Sequence, residues 1–194
     1  QKLEDGAVRE IKPTLYFDWL ARLLYRGYTN HVFNRVDDFQ DVPSSLENMP
    51  EEYRGYVQGI ADGAGLHRSQ ITRLIATVML SDASCSGFIA YGPATEDGRL
   101  IQLRNLDWGD PHMRPQDSTV LLAHEPEDGY RYLSIGFVGL IGSVSGINEH
   151  GISLTEIGSE SSDKSRSGIP MPLMLESILA HARNLNEAIA LMKT

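Results

Sequence analysis

The sequence predicts an α+β fold, on three observations. Apolar residues recur at helical spacing in the first 84 residues and again after residue 169. Between them, from Cys85 to about Ile157, the pattern changes to strand-like runs separated by D-G turns. Helices and strands do not alternate as a doubly wound parallel sheet requires. Two units follow: residues 1–84, a helical segment, and residues 85–194, a run of antiparallel strands closed by helices.

In the first unit, Leu15, Trp19, Leu20, Leu23 and Leu24 form an apolar stripe that ends near Gly27. Asp41-Val42-Pro43-Ser44-Ser45 interrupts the chain, and Pro50-Glu51-Glu52 has the form of a helix start with acidic residues in its first turn. Tyr53, Tyr56, Val57 and Ile60 carry that helix to a break at Asp62-Gly63-Ala64-Gly65. Ser69 is then placed to cap a further helix bearing Ile71, Leu74, Ile75, Val78 and Met79. Stripes of this kind ordinarily face a core rather than a ligand.

In the second unit, Phe88-Ile89-Ala90-Tyr91 and Leu100-Ile101-Gln102-Leu103 flank Glu96-Asp97-Gly98 and predict a hairpin. Runs at 119–123 and 130–135 flank Glu127-Asp128-Gly129 and predict a second. The Gly-rich stretch 138–144 has the composition of a strand closely approached by another backbone or a ligand. It lacks the lysine of a phosphate loop and the spacing of a dinucleotide site. Residues 151–157 complete a hairpin after a turn at Asn148. The polar stretch 159–168 is a solvated loop, with a lid over a site as the second possibility. Leu173, Met174, Leu175, Ile178 and Leu179, then Ile189, Leu191 and Met192, return to helical spacing.

Composition narrows the function classes. A net charge of −9 argues against nucleic acid and gives no basic face for an anionic membrane. No apolar run approaches the ~20 residues of a membrane span. A single cysteine excludes an internal disulfide and a cysteine-rich metal site, and none of the six histidines makes a pair of zinc-site spacing. No metal and no cofactor are expected. The chain begins at Gln1 without methionine or an apolar leader; either a chosen chain boundary or a removed export signal produces that, and a periplasmic or extracellular location is expected over a cytoplasmic one.

Chemistry concentrates in the first hairpin. Cys85 opens its first strand, and Arg104-Asn105-Leu106-Asp107 closes its second, so a thiol, a guanidinium and a carboxylate can converge at the open end. A guanidinium favours the thiolate, which is the nucleophile. No histidine lies in the hairpin, and the base must come from elsewhere. Cutting the Ser84–Cys85 bond would supply one, because a free α-amine titrates near neutrality. Each residue also has a structural reading. A lone cysteine is most often a small buried hydrophobe, Arg104 with Asp107 could be an ion pair, and Asn148-Glu149-His150-Gly151 is also an ordinary turn. In this order and spacing, together, they favour catalysis.

Cys85 at the head of a strand, E-D-G-R in a turn, R-N-L-D-W, and then G-I-N-E-H-G resemble the N-terminal-nucleophile hydrolases. The resemblance is to the group holding penicillin acyltransferase, choloylglycine hydrolases and acid-ceramidase-like amidases, above all the acyltransferase-like family. It runs from about Glu51 to Thr194. It implies an αββα sandwich, preceded by a helical pro-segment that is cut from it and stays bound. It implies Cys85 as nucleophile after self-cleavage between Ser84 and Cys85, with Arg104 and Asp107 as its supporting pair. Asn148 would line the oxyanion site, through its backbone N–H. The substrate implied is a small N-acyl amide. Phe88, Trp108 and Ile147, with Phe137 and Leu140 as further candidates, stand next to the expected site and read as apolar lining; Trp108 also reads as core, and His112 as a surface residue or a pocket residue to watch.

The families resembled continue beyond the point matched by Thr194 with strands that complete the sheets and supply further oxyanion donors. The expectation is therefore an incomplete sandwich, extended by more chain or closed by a second copy or another chain. Three functions follow: a self-processing cysteine amidase or acyltransferase, a catalytically silent relative that binds, and a cysteine hydrolase with a histidine base and no self-cut.

Overall fold

The computed structural model describes residues 49, 51–72, 75, 83–108, 119–137, 140–158 and 169–193. The predicted Leu15–Leu24 stripe, the watched His112, the loop 159–168 and several positions of the helix after Ser69 lie outside them. For Ser84 and Trp108 only the backbone is described.

Helix α1 (Glu51–Ala64) starts where its acidic first turn predicts and stops at Gly65, whose φ of 64° is the left-handed conformation that glycine adopts without penalty. Leu66 N–H donates to Ala61 O and Gly65 N–H to Asp62 O, the paired bonds of a Schellman end. The next helical residues, 68–72, are capped by His67 and not by Ser69. His67 N–H donates to Gln70 Oε1 at 2.8 Å, and Ser69 N–H donates back to His67 Nδ1, so an imidazole fills the place of a capping hydroxyl. Met49, Tyr53, Val57, Ala61, Ile71 and Ile75 form one buried cluster together with Ile141 and Leu173. The described part of the segment before Cys85 thus packs on Ile141 and on Leu173, in the later helix.

Strands β1 (Ala83–Gly92) and β2 (Gly98–Trp108) pair antiparallel, Ser84 opposite Asp107 and Cys85 opposite Leu106. Both are longer than their apolar runs, because ladder bonds continue through polar residues. Gly92 and Gly98 take positive φ at the turn. Strands β3 (Thr119–His124), β4 (Tyr132–Phe137), β5 (Ser145–Asn148) and β6 (Ser153–Thr155) form a four-stranded sheet in sequence order. Residues 140–144, predicted as strand, are irregular. The close backbone approach expected there is present: a Cβ on Gly142 would stand 2.6 Å from Pro172 C. These antiparallel sheets with separate helices are the mixed architecture the sequence predicts.

Helices α2 (Met171–His181) and α3 (Leu185–Leu191) cover one face of the four-stranded sheet. Gly146 lets α2 sit on that sheet, since a Cβ there would lie 2.5 Å from Leu179 Cδ1. The opposite face carries Leu121, Leu133, Ile135 and Ile147, all exposed. The hairpin meets this sheet at β6, where Gln102 Nε2 donates to Thr155 Oγ1 at 3.0 Å and Ser153 Oγ donates to Gln102 Oε1.

The helix-covered face holds a polar chain. Tyr132 O–H donates to Glu176 Oε1 at 2.6 Å, and desolvation together with that carboxylate pushes the phenol far above its ordinary range. The ring of His124 stacks on Tyr132 at 4.1 Å, and its Nε2 lies 2.9 Å from Ser134 Oγ. Burial lowers the pKa of His124 below its usual 6.5. The folded state therefore binds fewer protons here than the unfolded one, and stability falls as pH drops through the range where a free histidine charges. Urea unfolding across a pH series is expected to show that loss. His124→Gln, which keeps a polar partner for Ser134, should flatten it; an unchanged slope would remove His124 as its source.

Candidate active site

Opposed residues in an antiparallel ladder share a face, and successive residues alternate. The register therefore puts Cys85, Gly87, Gln102, Arg104 and Leu106 on one face of the hairpin. This face is turned to β6 and the residues just after it. Gly87 permits the approach: a Cβ there would meet Leu103 O at 2.8 Å and Ile157 Cδ1 at 3.0 Å. A larger residue would press on the backbone of Leu103 and displace the tip of the Ile157 side chain.

The half-exposed thiol of Cys85 lies in the gap so formed. Arg104 Nη2 is 3.4 Å from its sulfur. The same nitrogen donates to Glu156 Oε2 at 2.9 Å, and Arg104 Nε donates to the backbone O of Glu156 at 3.0 Å. Glu156 Oε2 is in turn 3.7 Å from Cys85 Sγ, within the reach of an S–H donor. Thiol, guanidinium and carboxylate close a triangle. Two of its members are nearly dry, the side chains of Arg104 and Glu156 being 8% and 16% exposed. A guanidinium so fixed can hold a thiolate, and a carboxylate so placed can take or return the thiol's proton.

Cys85 and Arg104 are thus brought together, while the other predicted residues stand elsewhere. Asp107 is three residues past Arg104, which on a strand reverses the face; it is exposed and accepts from Asn105 Nδ2. Its nearest link to the thiol is backbone register, as the partner of Ser84. Asn148 is buried at the turn of the β5–β6 hairpin, about 13 Å along the strand from the end where Glu156 lies. Its backbone N–H donates to Ile152 O, its Oδ1 accepts from His150 N and Ile152 N, and its Nδ2 donates to Leu179 O and Ala182 O. Phe88 alternates to the hairpin face away from the sulfur and is 56% exposed, and Ile147 is on the open face of the four-stranded sheet. Phe137 is half-buried at the end of β4, and Leu140 is buried.

Glu156 is the residue that sequence reasoning passed over. The available signal was a carboxylate, Thr155-Glu156-Ile157, directly after a strand and flanked by apolar and β-branched residues. Such a charge ordinarily needs a partner, but nothing local names Arg104, 52 positions earlier.

Residues 94–194 match the family described as acyl-coenzyme A:6-aminopenicillanic acid acyl-transferase. The match takes in Arg104, Asp107, Asn148 and Glu156 and begins after Cys85. Among curated proteins, the chain is similar to protein dcd1A of Dictyostelium discoideum, 33% identical over 188 residues, covering 91% of this chain and 42% of that protein. Protein dcd1B of the same organism is 25% identical over 186 residues, 94% of this chain and 37% of its own. An uncharacterized protein of Archaeoglobus fulgidus is 22% identical over 170 residues, 75% and 28% of the two chains. The chain thus spans less than half the length of these relatives.

The bonds of Asn148 give a stability prediction. Asn148→Ala strands two buried carbonyls, Leu179 O of α2 and Ala182 O at its C-cap, and two turn N–H groups, at ~1–3 kcal/mol for each group left unsatisfied. A loss of at least ~2 kcal/mol in urea unfolding is expected. A change within ~0.5 kcal/mol, the range of a surface substitution, would show that water replaces the tether.

Proposed function

The chain belongs to the acyl-coenzyme A:6-aminopenicillanic acid acyltransferase family, and from that premise we propose that the protein is a self-processing cysteine amidohydrolase or acyltransferase. Cys85 attacks the carbonyl of an N-acyl amide, the C–N bond breaks, and the acyl group passes as a thioester to water or a second amine. The observation that carries this function is the contact of Arg104 with the Cys85 sulfur, in a guanidinium already immobilised by Glu156. The base in turnover is the α-amine of Cys85, freed when the Ser84–Cys85 bond is cut. Asp107 is the carboxylate nearest that bond in register, and its role is to orient the freed amine. Leu106, directly across from Cys85, and Ile157, against Gly87, offer the acyl group an apolar seat. The residues before Cys85 stay in place through the cluster of Tyr53 and Val57 with Ile141 and Leu173.

Further strands, from the rest of a longer chain or from a second chain, complete an αββα sandwich in this scheme. They would cover Leu121, Leu133 and Ile135 and the bare edges of the hairpin. The length of the relatives supports that.

Intact mass and N-terminal sequencing of the full-length protein test the mechanism. A chain beginning at Cys85 is expected, and Cys85→Ala should abolish it. An active protein of one uncut mass would exclude the amine as base. Asp107→Asn should lower kcat/KM at least tenfold while stability stays within ~0.5 kcal/mol, since the side chain is exposed. Equal activity would leave Asp107 a partner of Asn105 only.

The substrate class is tested with N-acyl amides that differ only in acyl length. Each buried methylene contributes ~0.8 kcal/mol, so kcat/KM should climb severalfold per added carbon until the seat is filled. A flat response, or a preference for charged acyl groups, would remove the apolar seat and leave the nucleophile standing.

A further inference from the structure

The self-cut faces a proton problem that turnover does not. Until the Ser84–Cys85 bond breaks, the nitrogen of Cys85 is a peptide amide and has no lone pair to offer as a base. The bond also lies inside β1, with Ser84 and Cys85 both in register against β2. Something else must take the thiol proton. Among the described residues, the acceptor within reach of the Cys85 thiol is Glu156 Oε2, at 3.7 Å. The ionisable groups that bond Glu156 there are Cys85 from β1 and Arg104 from β2. Its own backbone N–H is turned away, to Val144 O.

We propose that Glu156 is the base of maturation, a task separate from the turnover in which the amine serves; it rests on the self-cleavage proposed above. Glu156 takes the proton of the Cys85 S–H, and Sγ bonds to the carbonyl carbon of Ser84. The carboxyl returns that proton to the Cys85 nitrogen as the C–N bond breaks, leaving the Ser84 acyl group on sulfur. Water hydrolyses this thioester, giving a Ser84 carboxylate and restoring the thiol. Only water is consumed. Arg104 bridges both partners, holding the carboxylate in place and facing the sulfur as negative charge moves onto it.

The test is the rate at which the fragment beginning at Cys85 appears, followed by mass across about pH 5 to about pH 8 in full-length protein. Glu156→Gln keeps an acceptor for Arg104 and cannot take a proton; Glu156→Asp keeps a carboxylate. Both are checked by circular dichroism, because Arg104 is nearly buried. General-base catalysis contributes ~10²–10⁴-fold, so Glu156→Gln should slow the cut by at least ~10²-fold at neutral pH. Its residual rate should climb about tenfold per pH unit as hydroxide ionises the thiol, while the wild-type rate stays level across neutrality. Glu156→Asp should recover part of the rate and the level profile, which a merely structural role would not restore. A Glu156→Gln protein that cuts at the wild-type rate with the wild-type profile overturns the role. So does a wild-type rate that climbs tenfold per unit through neutrality, a measurement that needs no variant to fold. A wild-type protein that never cuts overturns self-processing itself, and this role with it.

Discussion

The arrangement depends on the ion pair between Arg104 and Glu156. It is the only charged contact among the described residues that joins the hairpin to the four-stranded sheet, and it does so with both side chains largely out of water. A two-stranded hairpin is marginal by itself. Here its inner face is fixed by Gln102 on Ser153 and Thr155 and by Arg104 on the side chain and backbone of Glu156. Removing one partner of such a pair would leave a desolvated charge, at ~3–5 kcal/mol, more than the pair contributes over an apolar substitute. Charge at this depth therefore has a poor justification as glue. In the proposed function its justification is the sulfur held beside it.

The hairpin was legible because a D-G turn between two β-prone runs fixes the register, and register alone places Cys85 across from the end of β2. That is why Arg104 emerges beside the thiol. The same alternation separates Asp107 from it: an odd spacing of three on a strand puts two side chains on opposite faces, whereas on a helix it would bring them together. The R-x-x-D spacing carries no sign of which applies. Asn148 illustrates a second limit. Its place in a Gly-closed turn was legible, but the bonds that occupy its amide come from Leu179 and Ala182, on a helix more than thirty residues later. Glu156 meets Arg104 across 52 positions, and Ile157 comes within 3.0 Å of where a Cβ of Gly87 would stand; neither pairing has a local signature. Helix and strand type follow from short-range periodicity; the site is made where distant segments touch.

The two faces of the four-stranded sheet are unlike, and the difference bears on how a thiol can work here. The helix-covered face is closed and holds its polar atoms in a chain from Ser134 through His124 to Tyr132 and Glu176. The other face is apolar and open except where the hairpin touches β6. Cys85 lies at that junction, between a dry ionic frame and an uncovered apolar surface. Ionic groups near the sulfur gain strength as water is excluded, and an apolar cover over Leu121, Leu133 and Ile135 would exclude it without adding a competing charge.

In the proposed function one thiol performs two acyl transfers, first on its own chain and then on a substrate, and needs a proton acceptor in each state. The peptide nitrogen of Cys85 cannot serve before the cut and is the closest available group after it. A carboxylate fixed by a guanidinium is the complementary choice, because it is present from the moment the chain folds. In that scheme a single-event maturation is served by a carboxylate already in place, whereas repeated turnover rewards an amine that titrates near the working pH. In that scheme the ion pair that orders the site separates the two reactions, giving the first to the group that folding puts in place and the second to the group that the first one creates.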